Sequence, residues 1–157
     1  MKAFFYILSL ILFSYSSFAR AGLPVLAATD QQKLLESTDP QLAANKRLVY
    51  DFSRIVLAGR HLDQAPTYLL DDYIQHNPNV ETGLKGFLDF FSKLGDPRPI
   101  PATVNGLVSI QAEGDIVTFS FVNKATDAAG VTYTTTWFDM FRVSGRKIAE
   151  HWDCDVK

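Results

Sequence analysis

The stretch "GDPRPIP", residues 95–101, packs three prolines and a glycine into seven positions and divides the chain into two unlike halves. No regular helix or central strand runs through such a segment, because proline removes backbone donors and restricts the residue before it. Before it, apolar residues recur at helical spacing; after it, β-branched and aromatic runs alternate with short turn signals. Helices followed by hairpin-linked strands imply an α+β domain, with an antiparallel sheet curled against the helices.

The firmest helix is expected in "STDPQLAANKRLVYDFSRIVLAGR", where Thr38 or Asp39 can cap, Pro40 suits the first turn and Gly59 can stop it. Leu42, Val49, Phe52 and Val56 give it one buried stripe. A second helix is expected in "LDQAPTYLLDDYI", with Leu69, Leu70 and Tyr73 inward, ending before "QHNPN", whose Asn77-Pro78 pair forces an extended turn. The third is "ETGLKGFLDFFSKLG", whose apolar face is Leu84, Phe87, Leu88, Phe91 and Leu94, closed by Gly95. Strands are expected over residues 102–112, 116–125, 131–143 and 147–153, joined by "EGD", "TDAAG" and "SGR".

The N-terminus has the parts of a secretory signal: Lys2, the apolar run "AFFYILSLILF", and a small-residue tail containing Ala19-Arg20-Ala21. The apolar run is shorter than the roughly 20 residues a membrane-spanning helix needs. Cleavage is expected after Ala21, with "VLAAT" as a weaker site and an uncleaved anchor as the rival reading. The expected organisation is thus a signal peptide at 1–21, a leader at 22–38 and one domain at 39–157, in an exported chain, periplasmic or secreted, with no membrane association after cleavage. Removing Lys2 and Arg20 from 15 basic residues leaves 13 against 17 acidic ones, a formal charge of −4. That balance, without a Lys/Arg cluster, argues against a nucleic-acid partner. A lone Cys154 excludes an internal disulfide, and Asp153 and Asp155 beside it disfavour a thiolate.

Three places could carry chemistry. Asp139 stands in "TTTWFDMFRV", and strand alternation points it the same way as Trp137 and Phe141. A carboxylate in that company is poorly solvated unless donors meet it, so it is either a general acid/base in a pocket or a structural acceptor tied to an Arg, Trp or Tyr. His76 and Asn77 follow the apolar end of the second segment, where they either face a cavity or satisfy backbone groups. In "IAEHWD", Ala149, His151 and Asp153 share one face and Ile148, Glu150 and Trp152 the other; sequence leaves open which face is inside. The histidines His61, His76 and His151 lack metal-site spacing, and no metal is expected. There is no phosphate-binding glycine loop and no nucleophile motif.

Taken in order, "YIQHNP", a glycine-containing amphipathic helix and "WFDMFRVSGRKIAEHWD" resemble the SnoaL-like polyketide cyclase family of the NTF2-like superfamily, particularly its exported aldol-condensation type. The similarity covers roughly residues 42–153. It implies a cone-shaped, strongly curved antiparallel sheet packed on three N-terminal helices around a mostly apolar cavity, and pairing of two copies into a homodimer through the outer face of the sheet. It also implies that Asp139, matching the aspartate of the family's DxFR-like motif, is the acid/base for an intramolecular aldol closure. His76 joins it as a catalytic donor, with Asn77 or His151 as the other candidates, and Tyr73, Asn77, Trp137, Phe141, His151 and Trp152 contact a small hydrophobic molecule. No cofactor is implied. Two readings follow: a cofactor-independent enzyme cyclising or isomerising a small hydrophobic carbonyl compound, or an exported module that holds a hydrophobic ligand without turning it over.

Overall fold

The computed structural model describes residues 23–157. The expected signal peptide, residues 1–21, lies outside them. Helices α1 (Gln31–Leu34), α2 (Pro40–Phe52), α3 (Ala65–Tyr68) and α4 (Gly83–Phe91) pack on strands β1 (Leu69–Gln75), β2 (Leu107–Glu113), β3 (Ile116–Thr126), β4 (Thr132–Ser144) and β5 (Lys147–Trp152). The strands form one unclosed, curved sheet in the order β1-β5-β4-β3-β2. No helix among the described residues is long and apolar enough to cross a membrane.

Asp39 caps α2 as its residue type demands, its Oδ1 accepting from the backbone N–H of Gln41 at 2.7 Å and of Leu42 at 3.2 Å. Beyond Phe52 the helix widens into a π-helical turn, Ser53–Ala58, which ends at Gly59. A Cβ on Gly59 would come within 2.7 Å of the Ile55 carbonyl oxygen, so this helix end requires glycine. The leader is tied to the domain by Gln31, which is 6% exposed. Its side-chain N–H donates to Val104 O at 2.7 Å, and its Oε1 accepts from Val104 N and the Tyr50 hydroxyl, each at 2.9 Å.

The second helix expected from the sequence is replaced by two short turns and a strand. Leu62–Gln64 is 3₁₀ and α3 is a single turn, after which residues 69–75 run extended as β1. This strand pairs parallel with β5, so the sheet is antiparallel in every pair but one. The misreading has a physical cause. Leu69 lies opposite Ile148 while Ile74 lies opposite Glu150, so five steps along β1 match two along β5. Leu69 and Tyr73 are both buried, and residues four apart share a face in a strand as they do in a helix, so their spacing imitates a helical face. Pairing there also covers β5, which would otherwise be a bare sheet edge.

A second irregularity places the site. Arg142 pairs with Glu150 but Val143 pairs with Ile148, which leaves Ala149 as the extra residue of a β-bulge. Strict alternation would put Ile148 and His151 on opposite faces. The bulge lets both point inward, Ile148 being fully buried and the His151 side chain 12% exposed.

The core joins aliphatic side chains to a set of large aromatic ones. Phe52, Phe87, Phe119, Phe141, Tyr50 and Tyr73 are each at most 2% exposed. Fully burying one such ring contributes on the order of 1.5–3 kcal/mol, and this core, with no disulfide among the described residues, holds the helices against the sheet.

Candidate active site

A hollow of about 180 Å³ lies between the helices and the inner face of the sheet. Its apolar walls are Phe52 of α2, Leu57 of the π-helical turn, Phe87 and Phe91 of α4, and Phe141 of β4. Phe87 and Phe91 stack with centroids 4.3 Å apart, and Tyr73 meets Phe87 edge-on at 6.3 Å. Larger recesses exist elsewhere, including one of about 700 Å³ beside Gln41, Arg47 and Arg146. In the aromatic hollow apolar walls meet a set of neighbouring titratable groups.

Those groups are Asp139, His151 and Asp153, with side chains 21%, 12% and 8% exposed. Asp139 Oδ1 accepts from the Trp137 indole N–H at 2.7 Å and lies 3.9 Å from His151 Nε2. The other imidazole nitrogen, Nδ1, lies 2.9 Å from Gln75 Oε1 and 3.9 Å from Asp153 Oδ2. Asp153 is held in turn: Oδ2 accepts from Asn77 Nδ2 at 2.7 Å and Oδ1 from the Asp155 backbone N–H at 2.9 Å. Gln75 Nε2 donates to the Tyr73 hydroxyl at 2.9 Å, which leaves the phenolic hydrogen free to serve another acceptor. Burial pushes the Tyr73 phenol well up, and the Asp153 and Asp139 carboxylates push it further, so it remains a neutral donor.

The side chains expected at the site divide three ways. Asp139, His151, Tyr73 and Phe141 line the hollow. Trp137 and Asn77 stand behind it, each donating to one of its carboxylates. His76 and Trp152 lie outside it, on the other face of the sheet. There His76 Nε2 meets Glu150 Oε1 at 2.8 Å and its ring stacks on Trp152 at 5.1 Å, while the Arg142 guanidinium lies 5.5 Å from the Trp152 ring. Arg142 joins this cluster to Glu150 and Asp115, at 2.9 and 2.8 Å. The motif residues His76, Arg142, Glu150 and Trp152 thus build a clasp on the outer face. Hydrogen bonds from the His76 side chain and from Arg142 hold the Glu150 carboxyl below its ordinary range.

Sequence reasoning gave no role to Gln75, or to Asp153 beyond its face of the strand, and it read Phe52, Phe87 and Phe91 only as helix stripes. Inward residues of β1 become visible once that segment is taken as a strand, since Tyr73 and Gln75 then share a face.

Asp139, His151 and Asp153 also have metal-ligand chemistry, their nearest donor atoms lying within 4.8 Å of one another. The two carboxylates approach opposite ring nitrogens, however, and the nearer oxygens already accept from Trp137 and Asn77. As arranged, the carboxylates flank the imidazole at 3.9 Å without a hydrogen bond to it, and a shared metal would require the imidazole or a carboxylate to turn.

Residues 49–151, more than half of the chain, match the model of the SnoaL-like domain. The chain belongs to the SnoaL-like domain family. Solved structures similar to this SnoaL-like chain include a candidate polyketide cyclase from Acidithiobacillus ferrooxidans, at 17% identity and a TM-score of 0.52, covering 76% of this chain and 90% of that one. An NTF2-like protein of unknown function from Burkholderia pseudomallei aligns at 14% identity and a TM-score of 0.50, over 71% of this chain and 89% of its own. An LEH-like epoxide hydrolase of M. tuberculosis aligns at 15% identity and a TM-score of 0.50, over 70% and 80%. Identities this low carry the NTF2-like fold and no activity. No curated protein matches the chain in sequence.

Proposed function

We propose that this SnoaL-like chain is an acid/base enzyme that needs no cofactor and acts on a small hydrophobic carbonyl compound, by aldol-type cyclisation or isomerisation, with Asp139 as the base. The observation that carries this reading is the position of Asp139. It stands among aromatic walls, one oxygen is held by Trp137, and among the described residues no donor bonds to the other oxygen. A candidate cyclase among the structures of like fold agrees with it.

In this reading the unheld oxygen of Asp139 takes a proton from the carbon next to a carbonyl, and the C–H electron pair becomes an enolate. The Tyr73 hydroxyl donates to the enolate oxygen, and His151, positioned by Gln75, is the second group able to move a proton there. The enolate carbon then attacks a second carbonyl of the same molecule, and the new alkoxide recovers the proton from Asp139. In an isomerisation the proton returns to a different carbon. His76, on the outer face, supports the sheet in this scheme.

Asp139→Asn keeps the shape and removes the base. Turnover of a carbonyl substrate should fall by about a hundred- to ten-thousandfold, the usual contribution of a positioned base. Undiminished turnover would overturn the assignment of Asp139. Ligand binding with no turnover in either form would mark a non-catalytic binding module.

The same reading makes the chain exported, periplasmic or secreted, and a homodimer joined through the outer face of the sheet. The exposure of Phe138 and Ile74, at 48% and 46%, supports that pairing. Phe138→Asp should turn a sedimenting dimer into a monomer.

A further inference from the structure

The charge in the hollow is one-sided. Its titratable side chains are Asp139, Asp153, His151 and Tyr73, and among the described residues no lysine or arginine lines it. Asp139 and Asp153 flank the single imidazole at 3.9 Å on either side. One imidazolium can offset only one of two carboxylates, so when both are ionised the hollow is negative whichever form His151 takes. The side-chain and backbone donors to these carboxylates, from Trp137, Asn77 and Asp155, are neutral N–H groups. The strand-borne cation Arg142 points to the other face and is taken up by Glu150 and Asp115.

The remaining wall reinforces that sign. Phe52, Phe87, Phe91, Phe141 and Tyr73 surround the acidic groups, and the electron-rich faces of aromatic rings attract cations. We propose that the molecule this hollow selects carries a protonated nitrogen on a compact apolar body. For the reaction proposed above, on which this inference rests, the substrate class is an amine-bearing carbonyl compound. The ammonium lies toward Asp139 and Asp153, and the apolar body lies against Phe87 and Phe91. An anionic compound of the same size is rejected by the same two carboxylates, and a neutral one gains only the apolar contact.

Binding can be measured without turnover. Trp152 is on the outer face, so Trp152→Phe leaves Trp137, bonded to Asp139, as the sole tryptophan and the reporter of the hollow. Benzylamine, benzyl alcohol and benzoate differ in charge at nearly constant shape. Benzylamine should bind about tenfold tighter than benzyl alcohol or better, with benzoate undetected. Asp153→Asn should lower the benzylamine affinity several-fold and leave that for benzyl alcohol unchanged; its one amide oxygen keeps the bond from Asn77 and gives up the one from the Asp155 backbone. Asp139→Asn should act likewise, with circular dichroism verifying the fold of both variants.

Equal affinity for amine and alcohol, binding of benzoate, or no binding of any of the three overturns the inference. The acid/base reading stands or falls separately. A carbonyl substrate whose turnover requires Asp139, in a hollow without amine preference, sinks the inference alone. Amine selectivity without turnover of any amino carbonyl compound sinks the enzymatic reading alone.

Discussion

Gln75 Oε1 lies 2.9 Å from Nδ1 of His151 and accepts the backbone N–H of Asn77 at the same distance. A backbone N–H can only donate, so the glutamine atom at this junction is its oxygen, and the imidazole nitrogen facing it must carry hydrogen. Neutral His151 is therefore the Nδ1–H tautomer, with Nε2 bare toward Asp139. Long-range ¹⁵N–¹H correlation on the neutral imidazole should report protonated Nδ1 and unprotonated Nε2. Gln75→Leu should release the ring to a mixture of tautomers. A dominant Nε2–H form in the unaltered protein would disprove this tautomer assignment.

The bulge at Ala149 makes a second prediction. Inserting one residue into β4 between Arg142 and Val143 gives Ala149 a partner and restores strict alternation, so Ile148 and His151 can no longer both face inward. If His151 keeps its place, Ile148 is expelled, at a cost of about 1.5–3 kcal/mol for an exposed isoleucine. If Ile148 stays, His151 leaves the hollow. Urea denaturation and ligand titration together check this, and stability within experimental error combined with unchanged binding would show that the bulge does not position the site.

Much of the fold was legible because its signals are local. Asp39-Pro40 before an apolar stripe specifies the start of α2, and "EGD" and "SGR" specify hairpin turns that join the strands they separate. Asp139 could be placed with Phe141 because β4 is regular there, pairing residue by residue with β3. What escaped depends on non-local register. Residues 69–74 read as helix because Leu69 and Tyr73, four apart, share a face in a strand and in a helix alike and only the pairing with β5 decides between them, and the faces of "IAEHWD" were divided wrongly at Ile148 because the bulge inverts alternation at Ala149. Phe87 and Phe91 have the pattern of a buried helix stripe whether the space beyond them is filled or hollow, so periodicity could not mark them as site residues.

Tyr73 offers a test of the oxyanion donor. Its ring packs against Phe87, while its hydroxyl, already accepting from Gln75, has its hydrogen free for a substrate oxygen. Tyr73→Phe keeps the ring and removes the donor. Turnover should fall by about a hundred- to a thousandfold with KM nearly unchanged, as for other single donors to a developing oxyanion. The raised phenol also means that activity should show no loss on the alkaline side from ionisation of Tyr73. A variant with unaltered kcat would remove Tyr73 from the mechanism.

Acid should loosen the end of the chain before it unfolds the rest. Hydrogen bonds from His76 and Arg142 hold Glu150 below its ordinary 4.5, and bonds from Asn79, Asn77 and the Val156 backbone hold Asp155 below 3.8. A carboxyl with a depressed folded value is protonated first in the unfolded chain, so its contribution is complete above the unfolded value and lost as pH falls through the folded one. The native clasp joining the 76–79 loop to β5 and the tail should accordingly weaken as pH drops below about 4.5. Urea midpoints measured from about pH 7 to about pH 3 test this against the double variant Glu150→Gln, Asp155→Asn. The variant should start from a lower midpoint at neutral pH and lose less on acidification, because two of the acid-sensitive contributions are already gone. Parallel curves for the two proteins would show that neither carboxylate stabilises the fold through these bonds.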